Sequence, residues 1–466
     1  MIQFFPLFCL LIVAGSAQAQ ERTVTAADRT HLSVTVYGNG LAHVRDRRTV
    51  DLPAGISSVV FSDVGAMLDP TSTVVDSDTA VHVLEQSFQR EVISEQTLLQ
   101  RSIGKQVRIV RTHLTTGADI TEEATVLAVD GGLVLRIGNR IETGTPGRIV
   151  FNSIPADLRS QPTLVLRLSP QAAGPKPITL SYLTGGLSWR ADYAAFLDSG
   201  TMRFEGRASL SNESGTAFRN AAVQLVAGDV HRVSSQPAAM PKVSRTMALG
   251  SDAANIVPDA LGEQHLYALP GQVDLAEREN KQVSLFNSEK AAIVREYISE
   301  GYVGPSPQHG LPAQSHADMR ISFRNSLADG LGMPMPGGVF RAYERDASGT
   351  PRFIGEDNIG HTPVDGKVTL SLGGAFDVTV QRSQTEFRIL GKPAQSFESA
   401  QRIEIRNARN ESVTVSVMET IGGDWTIGEE SHPHRTTPSG MAEWQITLPA
   451  GGRSLLTYKV KVHLAR

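Results

Sequence analysis

Alternation of apolar and polar positions dominates the chain. Between residues 202 and 210, Met202, Phe204, Gly206, Ala208 and Leu210 fall on one side and Arg203, Glu205, Arg207 and Ser209 on the other. A period of two with one apolar face predicts a half-buried β-strand. A second strand, Ala222 to Ala227, follows the polar loop Asn212-Glu213-Ser214-Gly215. The same alternation places strands at Leu32, Val34 and Val36, at Val413, Val415 and Val417, at Trp444, Ile446 and Leu448, and from Leu456 to Leu464. Leu52-Pro53-Ala54-Gly55 and Leu448-Pro449-Ala450-Gly451 are turn chemistry, with proline pre-setting one corner and glycine supplying the next. Gln86 to Ser102 reads as the best short helix, with Gly104 placed to end it.

These patterns predict an all-β protein of several antiparallel β-sandwiches with at most short helices. An N-terminal β domain is expected over 20–90, completed by 160–182. Within 97–156, short strands separated by Asp130-Gly131-Gly132 and Gly138-Asn139 predict a small inserted SH3-like or OB-like barrel. A central sandwich is expected over 183–395 and a C-terminal sandwich over 396–466. Across 231–262 the periodicity dissolves into Pro, Ala, Ser, Met and Gln, which predicts a flexible excursion from the central domain.

Composition adds location. Of 466 residues, 40% are hydrophobic and 20% charged, the balance of a folded chain. The net charge of -4 gives no reason to expect nucleic acid as a partner. Residues 1–19 read as an export signal: Phe4 to Ala14 is an apolar run and Ala17-Gln18-Ala19 a cleavage site, although no Lys or Arg precedes the run. The single cysteine, Cys9, lies in that leader, so the expected mature chain has neither disulfides nor thiolate chemistry. No later stretch is long and apolar enough for a membrane helix.

Candidate chemistry is sparse. Glu356, Asp357 and His361, within Gly355-Glu356-Asp357-Asn358-Ile359-Gly360-His361, offer two carboxylates and an imidazole for a cation or for acid–base work. The competing reading is a hairpin loop rich in turn formers. His432-Pro433-His434 is a possible metal pair, and Trp189, Trp425 and Trp444 a possible stacking surface. The glycines before Trp189 suggest a tight corner sealed by its ring. No phosphate loop, dinucleotide fingerprint or zinc helix is present. No cofactor or metal is expected.

Tyr182, Gly186, Trp189, Arg190, Asp192 and Tyr193, followed by Asn212, Ser214, Gly215, Phe218 and Asn220, resemble the signature of a bacterial family, the mucoidy inhibitor A-like proteins or domain of unknown function 4139. Leu266-Tyr267-Ala268-Leu269-Pro270, Pro336-Gly337-Gly338 with Arg341 and Tyr343, and Asp424-Trp425 extend the resemblance from about residue 182 to the end. Phe218 stands where a tryptophan is commoner, and the coiled coil of better-known relatives is missing. The resemblance implies a β-rich envelope or secreted protein in which Trp189, Arg190, Tyr193 and Trp425 form an aromatic, structural signature. It supplies no catalytic residues. The expected function is therefore non-catalytic binding or scaffolding in the envelope, periplasmic, outer-membrane-associated or secreted, with an envelope protein or glycan as partner. The alternative is a secreted glycan or peptide hydrolase using the loop carboxylates.

Overall fold

The computed structural model describes residues 21–464, apart from 78–80, 114, 145–146, 156–157, 229, 231–258, 262–263, 309–312 and 392–395. The expected leader with Cys9, and the 231–262 excursion except for the short strand Asp259–Leu261, lie outside the described residues. Strands dominate, as the alternation predicts. The described residues divide into two units: unit 1 holds those up to 188 with those of 211–224 and 271–280, and unit 2 holds those of 189–210, 225–270 and from 281 on.

In unit 1, one sheet runs in the order Glu21–Val24, Ser57–Phe61, Thr163–Pro170, Val81–Gln89. A second contains Arg29–Tyr37, Leu41–Leu52, Gly174–Gly185 and Val74–Ser77 in that order. On Leu41–Leu52, parity puts Val44, Asp46, Arg48, Val50 and Leu52 on one face, and all five are buried. Arg48 reaches from this strand to the other sheet. Its Nη1 donates to the carbonyls of Val24 (3.1 Å) and Ser62 (2.9 Å), and its guanidinium lies over the Phe61 ring. Asp46 takes two hydrogen bonds from Arg29, both 2.9 Å, and two from Arg48 at 3.1 and 2.7 Å. Burial alone would raise the pKa of Asp46; the donors and charges of Arg29 and Arg48 outweigh it and hold the carboxyl below its ordinary value.

Residues 106–150 form a separate five-stranded sheet around Val107, Ile109, Ala124, Val126, Leu135 and Ile137. Among the described residues its edge strands, Arg140–Thr143 and Arg148–Val150, do not pair with each other, so the expected barrel is an open sheet. The helix is also shorter than expected. Gln86 to Gln89 belongs to an edge strand, and only Glu95–Gln100 is helical, begun by a capping box between Ser94 and Thr97.

Unit 2 is a sandwich of two sheets. The smaller runs Glu279–Ala292, Thr201–Asn212, Leu187–Leu197, Gly338–Arg345, Pro351–Ile359. Its inward face carries the ring cluster Tyr193, Phe204, Phe286 and Phe340, of which Phe204 and Phe340 meet Phe323 of the opposite sheet. Gly206 leaves room for this cluster, since a Cβ there would come within 2.8 Å of Phe286. Among the described residues the larger sheet has nine strands, in which Lys367–Leu390, Ala313–Arg324 and Val294–Val303 lie between Ser396–Asn407 on one side and Val413–Ile421 on the other. The boundary expected at 396 therefore falls inside one sheet. Pairing is not purely antiparallel: Glu21–Val24 with Ser57–Phe61, Leu187–Leu197 with Gly338–Arg345, and Val294–Val303 with Val413–Ile421 run parallel. Each pair is separated by a connection far longer than a hairpin, and a period of two carries no information about strand direction.

Candidate functional site

The outward face of the five-stranded sheet in unit 2 gathers polar and aromatic side chains into two rows. Along Leu187–Leu197, the odd positions from 187 to 197 point to the core and the even ones outward. Asp192 anchors the first row, which crosses all five strands. Gln282 Nε2 donates to Ser209 Oγ (2.9 Å), and Ser209 Oγ donates to Asp192 Oδ2 (2.6 Å). Arg341 Nη1 donates to Asp192 Oδ1 (3.1 Å), and Arg341 Nε pairs with Glu356 at 3.1 Å. Arg190 adds a bond from Nε to Asp192 Oδ2 (3.2 Å) while its side chain stays 70% exposed. Burial would raise the Asp192 pKa, but its Ser209 and Arg341 donors prevail and the carboxyl is held below its usual range. The Arg341 pKa is raised, first by its hydrogen bond to Asp192.

The second row is aromatic. Phe196 is opposite Tyr343 in register, and Tyr343 opposite Phe353. The ring centroids are 5.3 and 5.9 Å apart, and the Arg203 guanidinium lies 4.1 Å over Phe196. Arg203 and Arg207 share Glu205 as ion-pair partner. A register shift between Ala342 and Tyr343 leaves Ile354 unpaired and brings Phe353 onto the same face as Glu356.

The structure therefore separates the predicted polar cluster. The segment is not a loop: Glu356 and Asp357 lie within the strand Pro351–Ile359. Glu356 joins Arg341, whereas Asp357 accepts the amides of Asn358 (2.8 Å) and Ser371 (2.8 Å). His361 Nδ1 accepts the Gly337 amide at 3.0 Å. Among the described residues, no three of His, Cys, Asp and Glu gather in a way that would hold a metal ion. Arg190 and Glu356, far apart in sequence, are linked instead through Asp192 and Arg341, neither of which stands out by residue type alone.

The aromatic signature also divides. Trp189 is buried on the inward face beside Tyr267, its Nε1 donating to the Val226 carbonyl at 3.0 Å. It lies within a strand; the tight corner is Gly186, whose φ is 82°. Tyr193 donates to the Pro336 carbonyl (2.6 Å) and stacks on Phe204. Trp425 and Trp444 do approach each other, through His434, whose ring centroid is 5.8 Å from each. Glu430 Oε2 accepts from Trp444 Nε1 (3.0 Å) and lies 2.8 Å from His434 Nδ1. Burial opposes ionisation of Glu430, yet these partners lower its pKa. The three-tryptophan surface is thus two separate packing arrangements.

Two packed sheets with an ordered outward row define a β-sandwich protein. Residues 178–466 match the profile of the family described as Domain of unknown function (DUF4139), and the chain belongs to that family. A search of curated proteins gives no match. No helix among the described residues is long and apolar enough to cross a membrane.

Proposed function

We propose that this chain is an exported, non-catalytic binding protein, and that the outward face of the five-stranded sheet is where it meets a protein partner in the cell envelope. The observation that carries this reading is the pair of cross-strand rows. One is a five-residue hydrogen-bonded relay and the other an arginine-capped aromatic row, both held on strands of a packed sandwich. Arginine with Tyr and Phe is the composition that protein interfaces favour and that supplies their strongest contacts. Phe353 is 55% exposed, so this large ring has apolar area to bury. Export is supported by the apolar run and A-x-A site within 1–19. The signature residues from Tyr182 to Asn220 support kinship with mucoidy inhibitor A-like proteins, and hence the envelope setting.

Retention of envelope proteins on the immobilised mature chain tests this. Wild type should hold a specific protein that Arg341→Ala and Phe353→Ala each release. Equal retention by all three chains, or retention of glycan alone, would overturn it. Hydrolysis has less support, because Glu356, Asp357 and His361 each serve a different structural partner.

A further inference from the structure

Unit 1 contains a groove built by the loop that follows the strand Thr201–Asn212. Asn212, 1% exposed, ties this loop to its neighbours by hydrogen bonds. Its Nδ2 donates to the carbonyls of Thr216 (2.9 Å), Leu275 (3.2 Å) and Ala276 (3.0 Å), and its Oδ1 accepts from Ser214 Oγ at 2.7 Å. Gly215 has φ 80°, and a Cβ there would stand 2.5 Å from that of Ala66. The chain then enters the strand Phe218–Ala227 through a register shift between Phe218 and Ala221. Such a shift re-aims side chains, here Arg219 and Asn220. The Asn220 amide donates to Asp274 Oδ1 at 2.7 Å, which fixes a left-handed corner with φ 51°.

Left-handed backbone costs free energy for any residue with a Cβ, and such conformations concentrate at functional sites. Of the four described non-glycine residues that adopt it, Asp63 lines this groove, Asn220 lines the cavity beside it, and Arg278 follows the lining residue Glu277. The groove has a volume of about 540 Å³, and the neighbouring cavity of about 510 Å³ shares Ala26, Arg29 and Arg219 with it. Both are of small-molecule size.

We propose that this groove binds a small molecule bearing oxyanion groups, held by Arg90 and Arg219. Arg29, the third lining arginine, is already committed to Asp46. Arg90 lies over the Phe88 ring, and among the described residues neither Arg90 nor Arg219 has a carboxylate partner. The Asp63 carboxylate is occupied by the Ala26 amide (3.0 Å) and Ser62 Oγ (3.2 Å). That leaves two guanidinium forks lining a cavity of ligand size, against the carboxylates of Asp63, which neighbouring donors hold, and Glu277, which pairs with Arg278. Such forks match carboxylate and phosphate oxygens in pairs. This inference is independent of the partner proposed for unit 2.

Calorimetric titration of the mature chain with citrate and with inorganic phosphate, at constant ionic strength, tests it. Saturable binding of either probe is expected. Arg90→Ala and Arg219→Ala should each weaken it roughly tenfold, the scale of a charged hydrogen bond, and the double variant more. Glu277→Gln, which removes one opposing charge, should tighten it. Both arginines are exposed, so unliganded variants should melt as wild type does. Absence of saturable binding by either probe, or a double variant that binds as wild type, would overturn the proposal.

Discussion

Replacing Asp46 by alanine should be among the most damaging single changes available in unit 1. The carboxylate is 1% exposed and takes four hydrogen bonds, two from Arg29 and two from Arg48, whose own side chains are 9% and 0% exposed. Alanine leaves both guanidinium groups without the carboxylate that accepts their hydrogen bonds, and Arg48, the more deeply buried, without its ion-pair partner. Breaking a buried pair from one side costs about 3–5 kcal/mol, because the abandoned charge keeps its desolvation penalty. For a unit of this size, about 4 kcal/mol lowers the melting temperature by roughly 8–16 °C. The depressed Asp46 pKa adds a signature in pH. A carboxyl with a lower pKa folded than unfolded contributes stability that is complete above its unfolded value of about 3.9 and is lost as pH falls through the folded value. Scanning calorimetry from pH 7 down to pH 3 should therefore show the wild-type and Asp46→Ala transitions converging at the acid end. A triple replacement, Asp46→Leu with Arg29→Met and Arg48→Met, should recover most of the loss. A destabilisation below about 1 kcal/mol for Asp46→Ala, or a difference independent of pH, would refute the reasoning.

Three further expectations follow from local geometry. Gly215→Ala should destabilise unit 1 by about 1–3 kcal/mol, since it combines left-handed backbone with a close approach to Ala66; equilibrium urea unfolding will read it, and an unchanged midpoint would contradict the geometry. Tyr458→Phe should stabilise unit 2 by about 1 kcal/mol in the same assay, because its buried hydroxyl has no hydrogen-bond partner among the described residues; a loss of stability would show that the hydroxyl is engaged. Arg341→Met should leave the fold intact but release Asp192 and Glu356 together, so NMR titration should find the Asp192 carboxyl pKa higher than in wild type.

Sequence patterning showed much of the architecture because burial is one-sided on most strands. Thr201–Asn212 and Arg453–His463 alternate cleanly, and both are strands. Where both faces meet water the signal vanishes. Val81–Gln89 is exposed along most of its length, and its Gln86 to Gln89 end reads equally well as helix. The true helix start was visible in Ser94 and Thr97, a capping pair three residues apart. The strand Pro351–Ile359 resembles a loop because it is a polar sheet edge, and its register shift makes face assignment by parity fail between Phe353 and Glu356.

The buried ion cluster was legible in principle. Arg45-Asp46-Arg47-Arg48 looks like a solvated run, but Asp46 and Arg48 share parity with Val44, Val50 and Leu52. By contrast, the row from Gln282 to Glu356 joins five strands through long-range pairing and a parallel contact, and no local pattern encodes it. Trp189 and Tyr193 were marked by their chemistry yet serve the core, while their outward neighbour Asp192 organises the surface.

Hydroxyl-radical footprinting of the chain from residue 20 on, with and without envelope extract, tests the surface assignment most directly. Tyr343 and Phe353 should lose reactivity together in the presence of extract, while the exposed Phe376 on the other sheet keeps its own. Unchanged labelling of Tyr343 and Phe353, or protection confined to Phe376, would contradict the account.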